Sequence, residues 1–328
     1  MLPEFSLREI PLPQVRLDAD AHPFALVRDE EVDRLEQSLA EVGLLAAPRV
    51  LALPDGRFQP VTGWRRLLAA ARLGWPTIPA IILAPETREA RLLLLYLHDN
   101  AFTRRFNPLE QALLASRLRN YWDLNALVAK VLPLLGLPRS PAHLQRLLAA
   151  AVLERPWQEL LARERLALTA AARLAAWEPN ARAAAWPFLA TLPWSQSKQE
   201  EFLERVEILA RREGVSVAAI LQRPALESIL ADTALNPAAQ TEAVRRLLHD
   251  WLSPRFSAAR RTLAAGLARL GLHRHPRLRL TPPPAFEGPD FELSLKFTDA
   301  QELRQHLRDL SRLAQLPEFE TLVELKEG

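Results

Sequence analysis

A chain of 328 residues with 49% hydrophobic and 25% charged side chains exceeds one ordinary core and reads as two or three globular domains. It has no cysteine, which excludes disulfides, thiolate metal sites and cysteine nucleophiles, and no apolar run approaches the roughly 20 residues that span a bilayer. The net charge is only +3, yet lysine occurs solely at Lys130, Lys198, Lys296 and Lys326, so nearly all of the 42 basic residues are arginine. GC-rich coding gives the same bias, so the distribution says more than the total. Nine arginines fall between Arg245 and Arg279 against Asp250 alone, whereas residues 280–328 are net acidic. A basic segment beside an acidic one binds a polyanion, or the two pair with each other. Met-Leu-Pro-Glu-Phe is not a charged signal-peptide start, and a cytoplasmic location is expected.

In chain order, Ser6 to Pro13 reads as a short strand, followed by an extended stretch through Asp18 to Phe24. Val32, Leu35, Leu39 and Val42 form one apolar stripe at helical spacing, stopped by Gly43. Pro48 to Leu53 and Arg57 to Val61 are two strands joined by the turn Pro54-Asp55-Gly56. Thr77 to Leu83 is β-branched and apolar, as a buried strand is, and a leucine-rich helix runs from Glu86 to Leu97. Asn107-Pro108-Leu109-Glu110 carries a capping box with proline at the first helical position. From there to about residue 272 the pattern is helical and cut by prolines, among them Pro133, Pro187 and Pro254. Thr281-Pro282-Pro283-Pro284 is a stiff linker, and Phe291 to Phe297 alternates as a half-buried strand, with Leu278 to Leu280 as a possible partner strand. A helix through Leu303, Leu307 and Leu310 completes a small tail unit.

Within this order, Val61 to Gly74 joins a strand end, a glycine turn and two adjacent arginines at one helix start. Gly63 lets the backbone approach a ligand, the first helical turn presents unpaired N–H groups, and Arg65 and Arg66 add donors that match phosphate oxygens. An ordinary strand–turn–helix corner with solvated arginines fits the same residues.

The motifs, taken together, resemble the ParB/RepB partition-protein family. The matching series is Glu41-Val42-Gly43-Leu44, the hairpin, Gly63-Trp64-Arg65-Arg66-Leu67-Leu68-Ala69-Ala70, Ile78-Pro79-Ala80, Asp99-Asn100 and Asn107-Pro108-Leu109-Glu110, and it covers about residues 6–175. The resemblance implies an α+β N-terminal ParB/sulfiredoxin-like domain, a helix-turn-helix region after it, and binding of CTP with Mg2+ that clamps the protein on DNA. Carried over by position, Gly63, Arg65 and Arg66 face the triphosphate, while Asn100, with Asp99 beside it, helps hold the metal through the nucleotide. A carboxylate beside an amide oxygen suits a hard cation, and the same two residues also suit a plain turn cap. The chain departs from the family pattern at three places. Trp64 replaces the usual glutamate, Phe24 stands where a glutamine-proline-arginine stretch supplies an arginine, and Thr103 takes the last place of a Glu-Asn-x-x-Arg box, with Arg104 one residue on. The lost glutamate puts hydrolysis in doubt more than binding, which leaves at most a weak CTPase.

In the family a helix-turn-helix follows, and here Leu124 to Leu135, a turn, and Pro141 to Ala150 occupy that place. Ser140 caps the second helix, and Arg139, Ser140, His143, Gln145 and Arg146 are the candidate DNA contacts, although alanines and leucines dominate and a plain helical bundle fits too. Arg260 and Arg261, in an arginine-rich helix from Arg245 to Arg269, are candidates for sequence-independent backbone contact. The expected division is 1–106 (ParB-like, nucleotide-binding), 107–175 (helix-turn-helix), 176–272 (helical) and 273–328 (small α+β tail unit). The resulting expectation is a nucleoid-associated, CTP-sensing DNA-binding protein of chromosome or plasmid partition, a homodimer with DNA and a ParA-like ATPase or other protein as partners. A non-catalytic adaptor of the same fold, or a transcriptional regulator with the same modules, is the alternative.

Overall fold

The computed structural model describes residues 6–18, 29–283, 286 and 290–323. Phe24, most of the extended stretch before it and Pro284 of the expected linker lie outside the described residues. The chain folds as two compact units, Met1–Ala190 with Trp194–Leu203, and Thr191–Pro193 with Glu204–Gly328.

The first unit opens with a four-stranded mixed sheet of β1 (Ser6–Pro11), β2 (Arg49–Ala52), β3 (Phe58–Thr62) and β4 (Thr77–Leu83), in the order β1-β4-β2-β3. β4 pairs antiparallel with β1 and parallel with β2, and β2 and β3 form the expected hairpin. Its turn works because Gly56 takes φ +79° and the Asp55 carboxylate accepts the Arg57 backbone N–H at 3.0 Å. Two helices, α1 (Asp29–Val42) and α2 (Trp64–Arg72), pack on the sheet through Val32, Leu39, Leu67 and Ala70, against Ile10, Val50 and Ile78. Their outer faces are tied where Arg72 meets Asp33 at 2.9 Å. α1 ends at Gly43 with φ +73°, as its stop signal requires.

α3 (Glu89–Ala101) departs from expectation, because it runs four residues past Leu97 and carries Asp99 and Asn100 on its last turn. A short polar run therefore did not end the helix. Tyr96 and Leu97 remain buried on the inner side, Asn100 follows Tyr96 by one turn and donates to its carbonyl, and His98 is exposed. α4 (Pro108–Leu118) starts with the predicted box in full: Asn107 Oδ1 accepts the Glu110 N–H and Glu110 accepts the Asn107 N–H, each at 2.9 Å.

The next helical stretch is α5 (Leu124–Ala126), a π-helical segment at Leu127–Val131 and α6 (Leu132–Leu134). Pro133 sits inside this run instead of breaking it. A turn with Gly136 at φ +73° leads to α7 (Pro141–Ala150), then to α8 (Arg155–Ala162), α9 (Leu168–Ala175) and α10 (Pro179–Thr191). Pro187 likewise lies inside α10. These helices bury Leu144, Leu147, Trp157, Leu174 and Phe188 in an aliphatic and aromatic core. The fold of this part is thus an α+β domain followed by a helical region.

α11 (Gln196–Glu213) contains the division between the units. The second unit continues with α12 (Val217–Leu221), α13 (Pro224–Ala231), α14 (Pro237–Leu252) and α15 (Pro254–Arg269). The expected helix from Arg245 to Arg269 is therefore two helices, broken at Ser253 because Pro254 lacks a donor N–H. β5 (Leu278–Thr281) pairs antiparallel with β6 (Glu292–Leu295), and α16 (Ala300–Leu313) and α17 (Pro317–Val323) follow. α17 was not anticipated. Its Leu322 is 3% exposed and packs at Gly266 of α15, where no side chain intervenes. β6 is less buried than its alternation suggests, since Leu293 is 42% exposed. Among the described residues no helix is long and apolar enough to cross a membrane.

Candidate functional site

The corner at Gly63 is built by backbone geometry first. Gly63 caps α2 with φ +78° and ψ 21°, a left-handed conformation in which a Cβ would lie 2.8 Å from Pro48 Cβ. Only glycine allows β3 to turn this tightly into α2 while the Pro48 chain passes beside it. Gly63 and the first residues of α2, Trp64, Arg65 and Arg66, line a cavity of about 660 Å³, which lies wholly within the first unit.

The cavity has two chemically distinct sides. Leu35, Leu39, Leu44 and Leu45 form an apolar wall, and Arg49, Arg65, Arg66 and Arg104 supply guanidinium groups. Asp99 is the only carboxylate among the lining residues. It balances two arginines from different elements, with Arg49 Nη1 at 2.8 Å from Oδ1 and Arg66 Nη2 at 3.8 Å from Oδ2. Arg66 also donates through Nη1 to the Ala46 carbonyl. Arg49 Nε is buried and has no hydrogen-bond partner among the described residues. Trp64 is 6% exposed and fills the first turn of α2 as a packing residue of the wall.

Behind the cavity lies a closed polar cluster. Arg104 Nη1 and Nη2 each donate to the Glu110 carboxylate at 2.8 Å, and Nη2 also donates to the Tyr96 hydroxyl at 2.8 Å. Its Nε donates to Asn100 Oδ1 at 2.7 Å, and the guanidinium stands 4.7 Å over the Phe106 ring. Asn100 Nδ2 donates to the Tyr96 carbonyl at 2.8 Å. Glu110 is 2% exposed. Burial pushes the Tyr96 phenol well above its ordinary range, and the neighbouring Glu110 carboxylate adds to the shift.

The structure thus brings together Gly63, Arg65, Arg66, Asp99 and Asn100 as the sequence suggested, but it turns the two candidate metal donors to other uses. Asp99 faces guanidiniums and the Asn100 amide oxygen accepts from Arg104. The donor set suits an anion. Among the described residues no group of three or more histidine, aspartate and glutamate side chains could hold a metal ion. Arg49 was missed by the sequence reading. Its place on a strand between Pro48 and Val50 gave no signal of the 50-residue reach to Asp99.

The helix-turn-helix candidates divide. Arg139, Gln145 and Arg146 are exposed on or beside α7. Ser140 spends its hydroxyl on the His143 N–H at 3.2 Å as N-cap. His143 Nε2 is buried, and burial, reinforced by Arg146, holds its pKa below the usual histidine value. In the second unit Arg261 is exposed, whereas Arg260 pairs with Asp250 at 3.2 Å. One arginine of the basic segment does reach the acidic tail: Arg277 meets Glu302 at 2.9 Å.

Residues 3–101 match the family model described as the ParB N-terminal domain. The chain is 27% identical over 168 residues to a nucleoid occlusion protein of Geobacillus kaustophilus, covering 48% of this chain and 58% of that protein. It is 33% identical over 108 residues to the chromosome-partitioning protein ParB of Caulobacter vibrioides, covering 32% and 34%. It therefore spans less than two thirds of these relatives. A solved structure of C-terminally truncated ParB from Caulobacter crescentus, complexed with CTP-gamma-S, is 26% identical and covers 56% of this chain and 99% of that one, with a TM-score of 0.27.

The buried pair carries a direct consequence for stability. Replacing Glu110 with Ala strands the Arg104 guanidinium and removes half of the capping box, so equilibrium urea unfolding should show a loss of about 3 kcal/mol or more.

Proposed function

Given that the chain belongs to the ParB/RepB partition-protein family through a ParB N-terminal domain at residues 3–101, we propose that it is a CTP-sensing DNA-binding protein of chromosome or plasmid partition. The observation that carries this reading is the convergence of Arg49, Arg65 and Arg66 on one cavity beside the α2 N-terminus. A triphosphate in the cavity takes the guanidiniums that Asp99 now balances, and the apolar wall takes the base. Mg2+ enters on the phosphates. Asp99, the one lining carboxylate, is already ion-paired, so the chain binds nucleotide with at most weak hydrolysis.

The relatives in this family are nucleoid occlusion and chromosome-partitioning proteins, and a protein of this class acts on DNA as a nucleoid-associated, cytoplasmic homodimer. Arg139, Gln145 and Arg146 face the duplex from α7, with Arg261 as a backbone contact. The tail unit is the surface for self-association, since Leu307 of α16 is 53% exposed and Phe297 51%. A ParA-like ATPase is the expected protein partner. An adaptor that kept the fold and lost the nucleotide is the second reading. The departure at Trp64 favours it, because no carboxylate stands in that turn.

Isothermal titration with CTP and Mg2+ separates the two readings. Wild type binds, and Arg66→Ala loses at least tenfold in affinity; no heat from wild type identifies the adaptor. Asp99→Asn releases Arg49 and Arg66 and leaves CTP affinity equal or higher, whereas a tenfold loss would assign Asp99 to the metal. For DNA, Arg139→Ala and Arg146→Ala each lower the slope of log affinity against log salt by about one. His143→Ala leaves that slope unchanged at pH 7, because the folded histidine is neutral there. In sedimentation, Leu307→Asp converts the dimer to monomer.

A further inference from the structure

We propose that the second unit holds an anion site of its own, a cavity on the β5–β6 ribbon that takes a short oligophosphate. The cavity measures about 410 Å³ and is lined by His273, His275, Arg277, Arg279, Ser294 and Lys296, together with leucines and a proline. No carboxylate lines it. It lies within the second unit and shares no residue with the N-terminal cavity.

Strand register explains why the cations gather. Arg279 stands opposite Ser294, and the Lys296 N–H donates to the Arg277 carbonyl at 2.8 Å, which extends the ladder by one step. With side chains alternating along each strand, Arg277, Arg279, Ser294 and Lys296 fall on one face of the ribbon. Leu278 and Leu280, 4% and 8% exposed, take the opposite face and anchor the strand to the core. The turn into β5 is held by His275, whose Nδ1 accepts the N–H groups of Arg277 at 3.3 Å and Leu278 at 3.0 Å.

The charge on this face is unbalanced. Arg277 is engaged by Glu302 at 2.9 Å. The side chains of Arg279, Lys296 and His273 make no hydrogen bond or ion pair among the described residues, and all three residues are exposed. Glu292 shares the face but stands at the far end of the ribbon, opposite Thr281, and does not line the cavity. Like charges across adjacent strands repel, and a multiply charged anion between Arg279 and Lys296 removes that repulsion. A concave site of this volume is at the small end of the range for ligand cavities and accommodates two or three phosphate groups. Guanidinium, ammonium and hydroxyl donors are the groups that phosphate oxygens accept from.

The same chemistry would also serve the DNA backbone, so the test has two arms. Both use the full chain carrying Arg66→Ala, which weakens the N-terminal cavity equally in the two proteins compared, so that a difference between them does not come from that cavity. Inorganic tripolyphosphate is titrated by calorimetry into this protein and into the same protein with Arg279→Ala and Lys296→Ala added. Tripolyphosphate should bind the first, and affinity should fall at least tenfold in the second, with Arg279→Lys retaining most of it. Equal affinity in the two proteins overturns the proposal. The second arm measures retention on duplex DNA. If the added pair of substitutions lowers DNA retention while tripolyphosphate binds neither protein, the two residues belong to a DNA track and the oligophosphate site is refuted. Both side chains are exposed, so unchanged far-UV circular dichroism is expected and a loss of binding is not a loss of fold.

Discussion

The buried pair of Arg104 and Glu110 is the contact on which the first unit is organised. One guanidinium satisfies a carboxylate that is 2% exposed, a phenol and an amide oxygen, and it does so across the junction between α3 and α4. A charge so buried is tolerable only because each of its hydrogen bonds is made, and leaving one partner alone costs more than the pair itself contributes. The same carboxylate completes the capping box that starts α4. Helix initiation, the orientation of Asn100 and the packing of Tyr96 are therefore consequences of one cluster.

This cluster also settles what the cavity can offer a ligand. Because Arg104 is committed inward, it does not act as a surface arginine, although it lies next to the position where the family pattern has one. The cationic side is left to Arg49, Arg65 and Arg66, and Asp99, the one carboxylate among the lining residues, pairs with Arg49 and Arg66. A carboxylate shared between two guanidiniums keeps a cationic site from being strongly self-repelling. Tyr96 and Asn100 line the cavity and belong to the cluster, so the wall of the site and the start of the helical region share atoms. Asp99 is the chain neighbour of Asn100, which Arg104 holds.

The second unit is governed by a different constraint. Pro254 splits the arginine-rich segment into two helices, which disperses its charge instead of laying it along one ridge. Arg260 is drawn to Asp250 and Arg277 to Glu302, so part of the basic character is internal. The β5–β6 register then collects Arg279 and Lys296 on one face, at positions seventeen residues apart in sequence.

Much of this was legible in the amino-acid order, because it depends on neighbours. The hairpin at Asp55-Gly56, the stop at Gly43, the capping box at Asn107 and the glycine corner at Gly63 are each decided within four residues by backbone conformation and capping chemistry. The length of α3 was misjudged because a polar run looks like a helix end when its burial is unknown, while Tyr96 and Leu97 hold the turn from the inside. The pairing of Arg49 with Asp99, the inward turn of Arg104, the seat of Leu322 at Gly266 and the cationic face of the ribbon depend on residues far apart along the chain. The sequence by itself determined the local turns, caps and helix starts, the glycine corner at Gly63 among them. Only the tertiary structure decided which charges face the cavity and which are neutralised, because a charge's role is set by the partners packed around it, and those partners are chosen by the fold.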